Sequence, residues 1–354
     1  MKKLVFLFII ISQVSYSQAL RKYSNEFLNI GVDAAAFGMG KAVVASTNDV
    51  NSGYWNPAGL VHVEDYQGSL MHAEYFAGIA KYDYVGFAMP IDGRSSLGLS
   101  LIRFGVDDIL DTTELIDSQG NIDYNRINLF SAADYALNIG YGRKLQVQGL
   151  NIGLNAKIVR RVIGDFASSW GFGVDAAIQF EKENWKFGLM LRDITTTFNA
   201  WSIDEEEFEK IQNSVPDQNQ ESPEAVEITL PKAQFGVARR FKIVRDINLL
   251  AEFDLNMRFT RTNDIISTNF ISIDPAFGFQ VDYIDLVYLR GGIGNIQNTM
   301  EFDGSDSVSV QPNIGAGFRY RGIQVDYALT NIGSIGNALY SNVFSIKVDF
   351  DSLR

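Results

Sequence analysis

Cysteine is absent from the chain, which excludes disulfides, thiolate nucleophiles, Cys-ligated zinc and a lipid anchor on an N-terminal cysteine. Histidine is nearly absent: His62 and His72 are the only two, too far apart for a helical metal pair. Basic runs are missing, and a net charge of -12 argues against nucleic acid as a partner, because phosphate binding needs clustered Lys and Arg. Proline is scarce at 7 residues while glycine reaches 31, a balance that suits strands joined by turns. Beyond the N-terminus, every apolar run is broken by charge, Asn or Gly, so no later segment reads as a transmembrane helix.

Catalytic and cofactor motifs are missing too. "GMGKA" at Gly38–Ala42 has neither the preceding Gly nor the following hydroxyl residue of a phosphate loop. "GGIG" at Gly291–Gly294 lacks dinucleotide-binding spacing, and no G-x-S-x-G elbow occurs. Asp117, Gln119, Asn121 and Asp123 alternate as calcium ligands would, but Ile122 and Asn128 stand where an EF-hand needs Gly and Glu. No catalytic residue, cofactor or metal is therefore assigned, and the chain reads as non-enzymatic.

What is present points to export and to strands. "MKKLVFLFIIISQVSYSQ" has the basic start, apolar run and small-x-small end of a secretory signal peptide over residues 1–17. Period-2 alternation follows. In "DINLLAEFDLNMRF", Ile247, Leu249, Ala251, Phe253, Leu255, Met257 and Phe259 share one face, while Glu252, Asp254 and Arg258 share the other. Similar patterns recur near Trp170–Phe180, Trp185–Arg192, Ile323–Thr330 and Phe344–Phe350. The strands are long enough to cross a bilayer, with aromatic residues near the ends of their apolar faces. The opposite faces carry Gly, Asn and charges, as a wet or plugged lumen requires.

About fourteen strand-like segments are discernible, starting near Tyr66, Ile79, Ser95, Phe130, Gly149, Ser169, Trp185, Leu230, Asp246, Thr268, Asp285, Val308, Gly322 and Ser341. Connections after even-numbered strands are short, and most after odd-numbered strands are longer, which is the parity of periplasmic turns and outer loops. The expectation is an all-β, antiparallel outer-membrane barrel over residues 65–354, in contact with outer-membrane lipid. Residues 18–64 would form an N-terminal plug. Glu252, Asp254, Arg258, Asp326 and Lys347 are expected to form polar pairs filling the lumen. The insert Ser202–Glu227 holds nine acidic residues and one lysine, so it reads as a solvated outer loop. Asp204, Glu205, Glu206 and Glu207 make it a candidate partner-binding surface.

Just before the strands stands "GVDAAAFGMGKAVVASTNDVNSGYWNPAGL". Pro57 fixes its own φ and holds Asn56 extended, glycines permit close backbone approach, and Tyr54 and Trp55 can wedge against a wall. Asn48, Asp49, Tyr54, Trp55, Asn56, Pro57, Ala58 and Gly59 are thus read as the plug-to-barrel junction. This opening resembles that of the PorV/PorQ family through Asp33–Phe37, Gly38-Met39-Gly40, Asn48-Asp49 and Trp55-Asn56-Pro57-Ala58-Gly59. That family is a branch of the FadL-like outer-membrane barrels associated with type IX protein secretion. The resemblance implies a fourteen-stranded barrel that binds translocon or cargo proteins through its outer loops. The alternative it leaves open is a FadL-type channel for hydrophobic small molecules.

Overall fold

The computed structural model describes residues 24–116, 119–214, 226–300, 304–330 and 341–353. The expected signal peptide, the first residues of the expected plug and Asp117 lie outside them.

Alternating sequence becomes a closed antiparallel barrel of fourteen strands. The strands are β1 (Gln67–Tyr75), β2 (Ala80–Asp92), β3 (Ser95–Asp111), β4 (Asn128–Lys144), β5 (Leu150–Ile163) and β6 (Ala167–Lys182). Strand β7 is interrupted, running Trp185–Arg192 and then Thr197–Ile203; β8 is likewise split into Val226–Thr229 and Lys232–Val244. The circuit continues with β9 (Ile247–Arg258), β10 (Ser272–Tyr283), β11 (Val287–Met300), β12 (Asp306–Tyr320), β13 (Ile323–Thr330) and β14 (Ser341–Asp349). β1 pairs with β14, from Gln67↔Asp349 to Ala73↔Val343, and closes the ring. Closure leaves no open sheet edge, the condition for crossing a bilayer with strands.

The two breaks coincide in space. β6 pairs with both halves of β7, while the first half of β7 pairs with the second half of β8 and the second half with the first. Asp193 and Thr196 both take positive φ where β7 is broken. Pro231, which has no N–H to donate, stands between the halves of β8. Within 193–229 the pieces Thr197–Ile203 and Val226–Thr229 are wall, and the outer connection between them begins with a helix, Glu205–Ser214. Strands also run higher than alternation indicates. β3 passes a register shift between Val106 and Ile109, and β11 passes another between Gly294 and Gln297. Each bulge resets the period-2 pattern, so the upper ends look like loop in sequence.

Outward positions carry the apolar residues: Trp170, Phe253 and Phe344 are 51%, 45% and 54% exposed. They form the lipid-facing band of an outer-membrane barrel. The end with the short turns, where β1 begins and β14 ends, is the periplasmic one by the same rule.

Inside the barrel runs the N-terminal segment. A 3-10 turn (Glu26–Asn29) leads to a short helix (Ala34–Gly38), a second helical turn (Ser52–Trp55) and a further 3-10 turn (Pro57–His62) before β1. Residues 31–40 and 51–61 are buried without exception. Inward glycines of the wall make room for this backbone. A Cβ on Gly153 of β5 would come within 2.2 Å of the Ala58 nitrogen, and one on Gly292 of β11 within 2.2 Å of the Met39 carbonyl carbon. The lumen is filled by main chain at the positions where the wall lacks side chains.

Candidate functional site

The N-terminal segment is held by two different kinds of contact. Toward β1–β5, β13 and β14 it is apolar: Phe27, Val32, Phe37 and Tyr54 pack with Met71, Tyr75, Tyr82, Tyr84, Ile102 and Val159 in one cluster. Toward β9 and β14 it also makes charged contacts. Asp33 accepts from the Ala35 N–H at 3.2 Å, capping the helix Ala34–Gly38, and its other oxygen lies 3.2 Å from Lys347 Nζ. Lys347 also reaches Asp49 at 2.9 Å and so ties two points of the segment to β14. Burial opposes ionisation of Asp33, but the charges of Lys347 and Arg290 outweigh it and hold the carboxyl below the usual carboxylate range. Behind Lys347, Asp326 stands at 3.9 Å and takes a hydrogen bond of 2.7 Å from Arg290.

Glu252 and Asp254 face the lumen and are buried. Asp254 accepts the Val43 and Val44 N–H groups at 3.0 and 3.1 Å, and Glu252 accepts Ala45 N–H at 2.6 Å. These carboxylates thus satisfy three main-chain donors that have no strand or helix of their own. Arg258 is engaged elsewhere, with Asp264 at 2.6 Å. A third polar group, Lys157 of β5, bridges Asp175 of β6 and Asp193 at the break in β7.

The aromatic turn lies at the centre. Trp55 Nε1 donates to Val32 O at 3.0 Å, Tyr54 Oη to Leu28 O at 2.5 Å, and the two rings meet edge to face at 4.9 Å. Asn56 donates to Val44 O and Ile178 O and accepts from Ala58 N–H, which caps the turn opened by Pro57. Gly59 packs against Thr47 O, and Asp49 accepts from Asn51 N–H. Asn48 alone of this group is exposed, at the periplasmic mouth. Two cavities flank the segment, about 410 Å³ on the periplasmic side and about 320 Å³ on the outer side. Among the described residues, Trp55 alone lines both.

A family described as type IX secretion system protein PorV matches residues 17–205. The chain belongs to the PorV family. No curated protein matches it. Among solved structures, the CymD monoaromatic hydrocarbon channel is similar with a TM-score of 0.56 at 10% identity, over 91% of this chain and 98% of that one. The P. putida toluene transporter TodX gives 0.53 at 12% identity over 90% and 99%, and a Pseudomonas aeruginosa FadL homologue 0.51 at 12% over 90% and 98%. At these identities the likeness is one of fold alone, that of a FadL-like barrel.

On the outer surface, Asp204 Oδ1 accepts from the Glu206 and Glu207 N–H groups at 3.1 and 3.2 Å and so caps the helix Glu205–Ser214. Glu205, Glu206 and Glu207 occupy its first turn, where the helix dipole favours negative charge. His72 lies on β1 with its ring 2.7 Å from Asp83 of β2, an ordinary cross-strand pair. Sequence reasoning missed the Lys157–Asp175–Asp193 group, because Asp193 looked like the start of a loop. It also missed the apolar half of the lumen.

Proposed function

We propose that this chain is a non-enzymatic outer-membrane barrel of type IX secretion that binds translocon or cargo proteins through its outer loops. Membership of the PorV family carries this reading. The N-terminal segment acts as its plug, and residues 48–59 set the junction between plug and wall. Two further observations support the proposal. Charged and amide side chains predominate around both cavities, which disfavours passage of an apolar molecule. The outer connection 204–225 presents an acidic, capped helix away from the membrane, a surface suited to a protein partner. The fold likeness to hydrocarbon channels favours a FadL-type channel as the second reading.

A deletion strain complemented with the full chain, or with 204–225 replaced by a short Gly-Ser linker, tests the proposal. The expected result is that exported type IX cargo is lost on deletion, restored by the full chain, and reduced with the linker variant. Normal secretion in the deletion strain, with impaired growth on a hydrophobic carbon source, would favour the channel.

A further inference from the structure

The outer cavity differs from the rest of the lumen in how its cations are treated. Elsewhere the buried cations have close carboxylate partners: Lys157 with Asp175 at 2.8 Å, Arg290 with Asp326 at 2.7 Å, Lys347 with Asp49 at 2.9 Å. Four cations line the outer cavity, namely Lys41, Arg192, Lys232 and Arg258. Arg258 is matched by Asp264 at 2.6 Å. Lys232 meets only Glu26, at 3.6 Å, and that carboxylate is 56% exposed. Among the described residues, Arg192 and Lys41 have no carboxylate within 4.0 Å. An unpaired charge in such a place is costly unless something answers it.

Arg192 is also held in position. It is 8% exposed, and its guanidinium stacks on the Tyr54 ring at 4.7 Å. Its Nε donates to Gln234 Oε1 at 2.7 Å, Gln234 donates to Asn256 at 2.6 Å, and Asn256 donates to Asp274 O at 3.2 Å. Nη2 donates to Tyr54 O at 3.0 Å, which leaves Nη1 without an acceptor among the described residues. Lys41 occupies a left-handed backbone position, φ 67°, that glycine or asparagine fills at lower cost. Among the described residues its amine donates to Ile30 O alone, at 3.3 Å, and burial pushes it below the ordinary lysine value against the opposing pull of Asp274, which lines the same cavity. Fixed donors, four cations set against two lining carboxylates, Glu26 and Asp274, and a cavity of about 320 Å³ thus coincide in a chain of net charge -12.

We infer that the outer cavity is a binding site for a small polar carboxylate, held by Arg192, Lys41 and Lys232 above the N-terminal segment. The site takes the anion from the outer side, since Glu26, at its margin, is open to solvent. It stands whether or not the outer loops bind secretion partners. The amide lining selects a short hydrophilic carboxylate over a long-chain one, because an acyl chain would displace water from Asn and Gln without replacing their hydrogen bonds.

Titration calorimetry of the full chain in non-ionic detergent at low salt tests this with sodium succinate as the probe. The uncharged analogue succinamide and sodium chloride at matched ionic strength serve as controls. Saturable binding of succinate alone is expected, weakened at least tenfold in Lys232→Gln and in Lys41→Gln, with barrel content checked by circular dichroism. Succinamide binding equally well, succinate giving no saturable heat, or both folded variants binding as the parent does would overturn the site.

Discussion

The two halves of the lumen hold the same segment by different means. Against β1–β5, contact is made by large buried side chains such as Tyr75, Tyr82, Tyr84 and Ile102. Against β9 and β14, it is made by Glu252 and Asp254 accepting from main-chain N–H groups and by Lys347 meeting Asp33 and Asp49. Apolar burial is strong but non-directional, whereas charge-assisted hydrogen bonds are modest in net energy and fix position. The apolar half therefore supplies most of the attachment. The polar half sets the register of the segment and lets it respond to pH.

The largest effect belongs to the apolar half. Tyr82→Ala removes a fully buried ring and should cost about 3–5 kcal/mol, read as a fall in the denaturant midpoint of the detergent-solubilised barrel. Tyr82→Phe sharpens the point: the Tyr82 hydroxyl has no partner among the described residues, so its removal should be neutral or slightly stabilising. Lys347→Met strands Asp33 and Asp49. Because Lys347 is 14% exposed, the cost should fall below that of a fully buried pair, at about 2–3 kcal/mol. It should appear as protease sensitivity of the segment with the barrel intact.

A smaller change comes with acid. Asp33 is held below its ordinary value in the folded chain, so its contribution is present at neutral pH and lost as pH falls through that lowered value. Protease sensitivity of the segment should rise in acid, and Asp33→Asn should show a weaker acid step from an already loosened start. If the parent and Asp33→Asn have the same acid profile, the polar half does not tune attachment. The smallest effect lies outside the lumen. Asp204→Ala should cost the outer helix about 1 kcal/mol of capping and leave barrel stability unchanged, as seen by hydrogen exchange of 205–214.

How much of this was legible follows from the same contrast. The fourteen strands could be read because lipid outside and main chain inside enforce alternation, as along Ile247–Phe259. The apolar half could not, since β2 carries Tyr82 and Tyr84 inward and Val85 and Phe87 outward, so both faces look greasy. Glu252 and Asp254 could be placed in the lumen from their period. Their partners could not be found, because Val43–Ala45 lie some two hundred residues away and contribute only main-chain N–H groups. The split of β7 and β8 was hidden for another reason: the pieces Thr197–Ile203 and Val226–Thr229 are too short to alternate convincingly, and Asp193 read as the start of a loop. The aromatic turn at Tyr54–Gly59 was visible as a rigid element, but the cavities on either side of Trp55 depend on the closed ring.

The most direct measurement is affinity purification of the tagged chain in mild detergent, with mass spectrometry of what accompanies it, for the parent and for the variant with 204–225 replaced. The account predicts that type IX secretion components or their cargo co-purify with the parent and are depleted with the variant. A barrel recovered alone, carrying bound fatty acid or hydrocarbon, would contradict it.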